Sequence, residues 1–272
     1  MSEDAAVALA WAEAVGRHVL PLLGAALGLV LAGAAVGFLG LRRWTVRPQH
    51  SQLPPALFLG LRLAIGFGIV LGAAALFTEM MEALQAGEEM GLFDSRLAEV
   101  LSQTLPPAVL RVVGVATHLG DPITLSALVL VVAVLLVWSR RPWLALGWVV
   151  ACAGNGVLNQ VLKHMFARVR PVHDHGFAVA DGFSFPSGHT SGSVVVYGML
   201  AYVGVRLLPP RWHLPGVLAA AALAFCMGAS RVLLQVHWAS DVLAGFASGL
   251  AWLVVCVLSI EMLWRYRRYR RG

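Results

Sequence analysis

The sequence predicts an all-α fold, a polytopic transmembrane helical bundle, and three observations carry that expectation. Of 272 residues, 59% are hydrophobic and only 12% are charged, against about 25% charged in a soluble domain. Apolar stretches near the roughly 20 residues that a helix needs to cross a bilayer core recur along the whole chain. The charged residues collect in the connections between those stretches. A cleaved signal peptide is a poor account of the N-terminus, because Ser2-Glu3-Asp4 is acidic where a basic region belongs. The formal charge of +6 does not point to nucleic acid, since Arg265, Arg267, Arg268, Arg270 and Arg271 crowd the end of the last apolar span. That is a membrane-anchor pattern. Cys152, Cys226 and Cys256 all fall in apolar segments and read as small buried hydrophobes, not as a disulfide framework.

Seven stretches qualify as spans, near 18–40, 57–83, 122–139, 143–163, 189–207, 213–235 and 238–262. The connections at 140–142 and 208–212 are so short that their neighbours should form antiparallel hairpins. Arg42, Arg43 and Arg47 follow the first span, Arg140 and Arg141 the third, Arg206 and Arg211 the fifth, and the basic tail the seventh. If seven spans alternate, these places share one side, which the distribution of arginine makes cytoplasmic. Glu82, Glu88, Glu89, Asp94, Glu99, Asp121, Asp174 and Asp181 then face outward. The first span is rich in Gly and Ala, so an in-plane helix is its alternative. Residues 84–121 form a long outer connection, in which Leu92, Phe93, Leu97, Val100 and Leu101 oppose Asp94, Arg96 and Glu99 at helical spacing. This pattern is an amphipathic surface helix, a packed lid or an element of substrate access. Pro106-Pro107 should end it, and Gly120-Asp121-Pro122 should turn the chain into the third span.

Ionisable groups at membrane depth are functional candidates, and three short segments contain them. Lys163 to Arg170-Pro171 ends the fourth span; Lys163 is the single lysine among twenty basic residues. Asn155, Asn159 and Lys163 repeat every four residues and share the helix face that should point into the bundle. Interfacial snorkelling is the plainer alternative for Lys163 and Arg170. Pro186-Ser187-Gly188-His189 opens the fifth span and offers free backbone N–H groups to an anion; a helix cap with an incidental histidine is the alternative there. Ser230-Arg231 and His237-Trp238-Ala239-Ser240-Asp241 join the last two spans. The four-residue spacing lets the Asp241 carboxylate accept the Nδ1–H of His237 and free Nε2 as nucleophile or base, although such pairs are often structural. His189 has no carboxylate at helical spacing and is expected to cycle its proton freely.

All three segments fall on one predicted face of the membrane. Together they supply three cations, two histidines and an orienting carboxylate, which is what phosphoryl transfer needs without a metal or other cofactor. His173-Asp174-His175 resembles a ligand cluster, but no flanking carboxylate pair accompanies it, so no metal site is expected.

The run from Lys163 through six residues to Arg170-Pro171, then Pro186-Ser187-Gly188-His189, then Ser230-Arg231 with five residues before His237 and three before Asp241, resembles the three-part signature of the type 2 phosphatidic acid phosphatase superfamily. The resemblance covers roughly residues 57–262. It implies a six-helix phosphatase core at 57–264, an additional N-terminal transmembrane or interfacial segment at 1–56, and a basic cytoplasmic tail at 265–272. It also implies His237 as nucleophile, Asp241 as its orienter and His189 as acid toward the leaving group, with Lys163, Arg170, Ser187, Gly188 and Arg231 holding phosphate. His164 and Arg168 occupy variable places of the pattern and stay outside this set, and Ser230 is expected to support Arg231.

The implied activity is a phosphohistidine lipid phosphatase at the outer leaflet of a bacterial inner membrane. Its partners would be the bilayer and a lipid phosphate or pyrophosphate, such as undecaprenyl pyrophosphate, phosphatidylglycerol phosphate or phosphatidic acid, and not nucleic acid. A phosphotransferase from a polyprenyl carrier to another lipid such as lipid A shares the signature, and a non-enzymatic transporter or scaffold would tolerate loss of His237. The vanadium haloperoxidases share the site but are soluble. Oligomeric state is not readable. The topology has a direct check: in a variant without the native cysteines, a cysteine placed near Asp181 should react with a membrane-impermeant reagent in intact cells. Labelling only after permeabilisation would reverse the orientation.

Overall fold

The computed structural model describes residues 3–45, 89–172, 176–178 and 180–271, with the single positions 68, 72, 75 and 79. The expected span at 57–83 lies outside the described residues apart from those four positions, and so does the His173-Asp174-His175 cluster. Numbered over the described residues, the helices are α1 (Glu3–Arg17), α2 (Val19–Thr45), α3 (Glu89–Thr104), α4 (Pro107–Ala116), α5 (Pro122–Trp138), α6 (Pro142–Phe166), α7 (Gly188–Leu207), α8 (His213–Leu233) and α9 (Ala239–Arg271). No strand occurs among the described residues. The chain is an all-α integral-membrane bundle. Among the described residues, six helical stretches are long and apolar enough to cross a membrane: Val19–Arg43, Pro107–Trp138, Pro142–Phe166, Gly188–Leu207, Pro210–Leu233 and Ala239–Trp264.

The two tight connections fold as hairpins for local reasons. After α5 the chain reverses through Ser139–Arg141, where Arg140 takes a positive φ of 58° and Arg141 N–H bonds the carbonyl of Leu136 at 2.9 Å. That is the helix-closing turn in which a left-handed residue lets orphan carbonyls find donors. Between α7 and α8, Leu208 N–H closes on Gly204 O at 2.8 Å and a 3-10 turn at Pro210–Trp212 restarts the chain. Both ends of the catalytic half are thereby set: α6 and α8 finish, and α7 and α9 begin, on the face opposite these arginine-bearing turns.

Packing between the spans uses small residues and satisfied indoles, as a bundle without a hydrophobic driving force between helices requires. Leu125, Trp148, Val195, Met199 and Met227 belong to the central cluster. Trp148 Nε1 donates to Val129 O and Trp252 Nε1 to Ala151 O, each at 2.8 Å, so both buried N–H groups have partners. At the arginine-bearing end, Glu261 accepts from Tyr202 at 2.8 Å and Arg206 at 2.7 Å.

Two elements depart from expectation. Residues 3–17 form helix α1, which packs on α3 so closely that a Cβ at Gly16 would stand 2.6 Å from Val100 Cγ1. The surface helix expected within 84–121 is present as α3, but Asp94 is not on its solvent side: it is buried, with 2% exposure. The proline pair does end α3, yet Pro107 opens another helix, α4, before the 3-10 turn Thr117–Gly120 leads into α5. Proline at the first helical position loses no needed donor, which is why one pair both stops a helix and starts the next.

The small-residue contact gives a paired test on α6. A Cβ at Gly154 would meet Trp252 Cζ2 at 2.5 Å, whereas among the described residues nothing lies within 4 Å of one at Gly156. Gly154→Val should lower the midpoint of thermal unfolding in detergent, as overpacking by about 1–3 kcal/mol does. Gly156→Val should leave it unchanged.

Candidate active site

Each polar segment is placed by an identifiable local device. Helix α6 ends at Ala167, whose φ of 44° and ψ of 33° are left-handed, and its N–H closes on Lys163 O at 2.9 Å. This turn lets Arg168 and Arg170 leave the helix axis and run under the loop that follows. Ser187 caps α7, its Oγ accepting from Thr190 N at 3.4 Å and from Thr190 Oγ1 at 2.9 Å. Helix α8 ends in another left-handed turn, at Gln235 with φ of 51°. Val236 N–H and His237 N–H both reach Arg231 O, at 3.2 and 3.3 Å. The turn swings His237 back over the end of α8, beside Arg231.

These devices bring Lys163, Arg170, Ser187, Gly188, His189, Arg231, His237 and Asp241 to one end of the bundle. His237 Nδ1 lies 3.2 Å from Asp241 Oδ2, and Arg170 Nη1 lies 2.9 Å from His237 Nε2. A guanidinium can only donate, so Nε2 is the acceptor and Nδ1 carries the hydrogen directed at Asp241. One tautomer is fixed from both sides. Burial drives the His237 imidazole well below its ordinary protonation range, and the cations Arg170, Arg231 and Lys163 push it in the same direction. Both the bond from Arg170 and this direction favour the neutral ring, with its Nε2 lone pair facing the Arg170 guanidinium. Burial also lowers the Arg170 guanidinium, opposed by Asp241 and Asp181.

The cations are held in different ways. Arg170 spends Nε on Gly182 O at 2.9 Å, Nη1 on Val236 O at 2.8 Å, and Nη2 on Asp181 O and Phe183 O, both at 3.1 Å. Lys163 Nζ donates to Phe183 O. Arg231 is buried and gives Nη1 to Thr117 Oγ1 at 3.1 Å, while its Nε has no partner among the described residues. An unpaired buried donor is costly, and an oxyanion in the site would satisfy it. A Cβ at Gly188 would stand 3.0 Å from Asn159 Oδ1, so glycine lets the start of α7 approach the face of Asn155, Asn159 and Lys163. Both asparagines are buried and directed at Ser191 Oγ. Ser187 Oγ only accepts in this cap, so its O–H remains a donor at that position beside the first backbone N–H groups of α7.

Residues 142–265 match the PAP2 superfamily. Phosphatidylglycerophosphatase B of Bacillus subtilis (strain 168) is 32% identical over 222 residues, spanning 79% of this chain and 98% of that protein. The chain belongs to the PAP2 superfamily. The solved structure of a transmembrane PAP2-type phosphatidylglycerolphosphate phosphatase from Bacillus subtilis superposes with a TM-score of 0.64 at 29% identity, covering 69% of this chain and 94% of that one. Shorter matches join a lipid A 1-phosphatase of Rhizobium johnstonii, 37% identical over 36% of this chain and 40% of that protein. An undecaprenyl-diphosphatase of Sulfolobus acidocaldarius is 29% identical over 48% of this chain and 62% of its own length.

The PAP2 site contains four side chains that the sequence pattern did not nominate. His189 has no carboxylate at helical spacing but does have a distant one: Asp121 Oδ1 lies 2.7 Å from its Nε2. The partner comes from the start of α5, 68 positions away, so no local spacing could reveal it. Thr117 links Arg231 to Ser230, whose Oγ is 2.8 Å from Thr117 Oγ1, and the support expected of Ser230 is delivered through that threonine. Arg168 bonds Asp241 Oδ1 at 2.7 Å, and Asp94 Oδ2 at 2.9 Å. A signal for Asp94 existed, since Asp94, Leu97 and Leu101 share one helical stripe, and a carboxylate on an apolar face needs a partner. Among the described residues no group of three or more His, Cys, Asp or Glu could hold a metal ion.

A neutral buried histidine has a measurable consequence. Unfolding exposes His237 to its ordinary value near 6.5, so the unfolded chain binds the extra proton. The stability tied to neutral His237 is complete above about pH 6.5 and is lost as pH falls below it. The decline of the melting temperature between pH 7 and pH 5 should therefore be shallower in His237→Gln than in the parent protein.

Proposed function

We propose that this PAP2 protein is an integral-membrane lipid phosphatase that hydrolyses a lipid phosphate or pyrophosphate at the outer leaflet through a phosphohistidine. The observation that carries the reading is the tautomer of His237, held between Asp241 and Arg170 with Nε2 turned toward the Arg170 guanidinium. In the proposed first step, Nε2 attacks phosphorus as the bond to the lipid oxygen breaks. Arg170, Arg231 and Lys163 take the charge on the equatorial oxygens. The unpaired Nε of Arg231 supports that assignment, because a phosphate oxygen would complete it. His189 gives its proton to the departing oxygen, and Asp121 stabilises the imidazolium before transfer. In the second step, water attacks the phosphohistidine while His189 removes its proton, and inorganic phosphate leaves.

Phosphatidylglycerol phosphate is the favoured substrate within this class, supported by the Bacillus subtilis relative that is matched over 98% of its length. The arginines of the short connections, all at the end remote from the site, support a cytoplasmic placement of that end and an outward catalytic face. The three cations supply the charge neutralisation for which other phosphatases use metal ions, so turnover should persist in EDTA.

Rapid alkaline quench of labelled lipid phosphate, followed by peptide mapping, should place label on His237. His237→Ala should abolish turnover. His189→Ala and Asp121→Asn should lower lipid hydrolysis by about two orders of magnitude or more, as loss of a general acid does. Both should be milder on an aryl phosphate, whose leaving group needs less protonation. Label on Ser187, or turnover by His237→Ala, would refute the mechanism.

A further inference from the structure

Asp241 has no exposed surface and Asp94 only 2%, and the two carboxylates share one guanidinium. Arg168 gives Nη1 to Asp241 Oδ1 and to Ser240 Oγ, both at 2.7 Å, and Nη2 to Asp94 Oδ2 at 2.9 Å. Ser240 in turn donates its N–H to Asp94 Oδ1 at 3.3 Å, and its hydroxyl bonds Asp94 Oδ2. Asp94 comes from α3, while Arg168 follows α6 and Ser240 and Asp241 belong to α9. Burial pushes the Asp94 carboxyl above its ordinary value, while Ser240 and Arg168 push back. Each of its partners is placed to donate, which is the environment of an ionised carboxylate.

The charges of this cluster do not cancel. Two carboxylates and one guanidinium leave one negative charge, and the neighbour that faces it through Asp241 is the His237 imidazole. On its other side His237 Nε2 meets Arg170, and the charges of Arg231 and Lys163, with His189, act on the ring from farther off. Without Asp94, Arg168 and Asp241 would form a neutral pair and the imidazole would be left to the cations. We infer that Asp94 is a positioning residue for the nucleophile: by fixing Arg168 and offsetting its charge, it holds Asp241 in place and leaves the negative charge of Asp241 directed at His237. The inference rests on the assignment of His237 as nucleophile. When Nε2 bonds phosphorus, the ring gains positive charge, and the surplus negative charge behind Asp241 stabilises that change.

The role differs from that of a leaving-group acid, and the difference can be measured. Asp94→Asn should lower kcat about 100-fold on both the lipid substrate and an aryl phosphate, with KM changed less than threefold. Arg168→Lys should do the same, because an ammonium keeps the charge but lacks the planar fork that reaches two carboxylates. A double-mutant cycle supplies the readout that a merely structural role would not move. Since Asp94 acts through Asp241, Asp94→Asn combined with Asp241→Asn should be no slower than Asp241→Asn alone. Full kcat in Asp94→Asn, or independent multiplication of the two losses, overturns the inference while an inactive His237→Ala keeps the nucleophile assignment intact. Normal turnover by His237→Ala overturns both. If Asp94→Asn does not fold, Asp94→Glu, which keeps the charge and displaces the carboxylate from Arg168, goes through the same cycle with Asp241→Asn and is judged by the same criteria.

Discussion

The Asp241 carboxylate, with no exposed surface, is the constraint around which the catalytic end is arranged. An isolated carboxylate in such a place would cost several kcal/mol even after relaxation, so donors must converge on it. Arg168 comes from the segment after α6, while the Trp238 N–H at 3.0 Å and the Nδ1–H of His237 come from the turn just before Asp241. The backbone of the same residue extends the junction, because Asp241 O accepts Ser187 N–H at 3.0 Å and so ties the cap of α7 to the first turn of α9. One residue thus joins the three polar segments, and satisfying its charge also sets their mutual geometry.

Close helix approach is the second requirement. A Cβ at Gly245 would lie 2.8 Å from Thr190 Cβ and 2.9 Å from Ser187 O, so glycine there is what lets α9 seat against the start of α7. Any larger residue would lift the Ser187 cap from the Asp241 carbonyl. The left-handed residues Ala167 and Gln235 play the corresponding part at the C-termini of α6 and α8. They spend a little backbone strain to turn Arg168, Arg170 and His237 inward. Here packing precision and charge placement are a single problem, solved at the ends of helices where backbone donors and acceptors are also available.

What the sequence revealed follows from the range of the interactions. Apolar length is a local property, and the four helices α5 to α8 were legible within three residues, while α2 and α9 run five and nine residues past the expected ends. The His237–Asp241 pair was legible because four residues is one helical turn, and the inward face of Asn155, Asn159 and Lys163 for the same reason. Asp121 and Thr117 were not, since their partners are 68 and 114 positions distant and each is held by tertiary packing. Helix α1 was missed because its acidic start and alanine-rich body give no strong apolar stripe; packing on α3 through Gly16 is what orders it. Asp94 was misread as solvent-facing because charge was taken as a sign of exposure. Its position in line with Leu97 and Leu101 was the stronger clue, as burial of a carboxylate is decided by whether a guanidinium waits there.

The site has two histidines, each with its own carboxylate, and the surroundings of the two pairs differ in the way their proposed roles require. Asp241 is sealed, and its other oxygen is committed to Arg168, so the carboxylate is held in place against His237 Nδ1 and the tautomer is fixed. Asp121 is partly open, with about a third of its side chain accessible, and its second oxygen meets the exposed His118 Nδ1 at 2.6 Å. A proton held between His189 and Asp121 is therefore close to water, which suits the exchange that the proposed acid and base role asks of His189. Orientation asks for burial and exchange asks for access. The fold meets both demands by taking one carboxylate from the turn that follows the nucleophile and the other from the mouth of a different span.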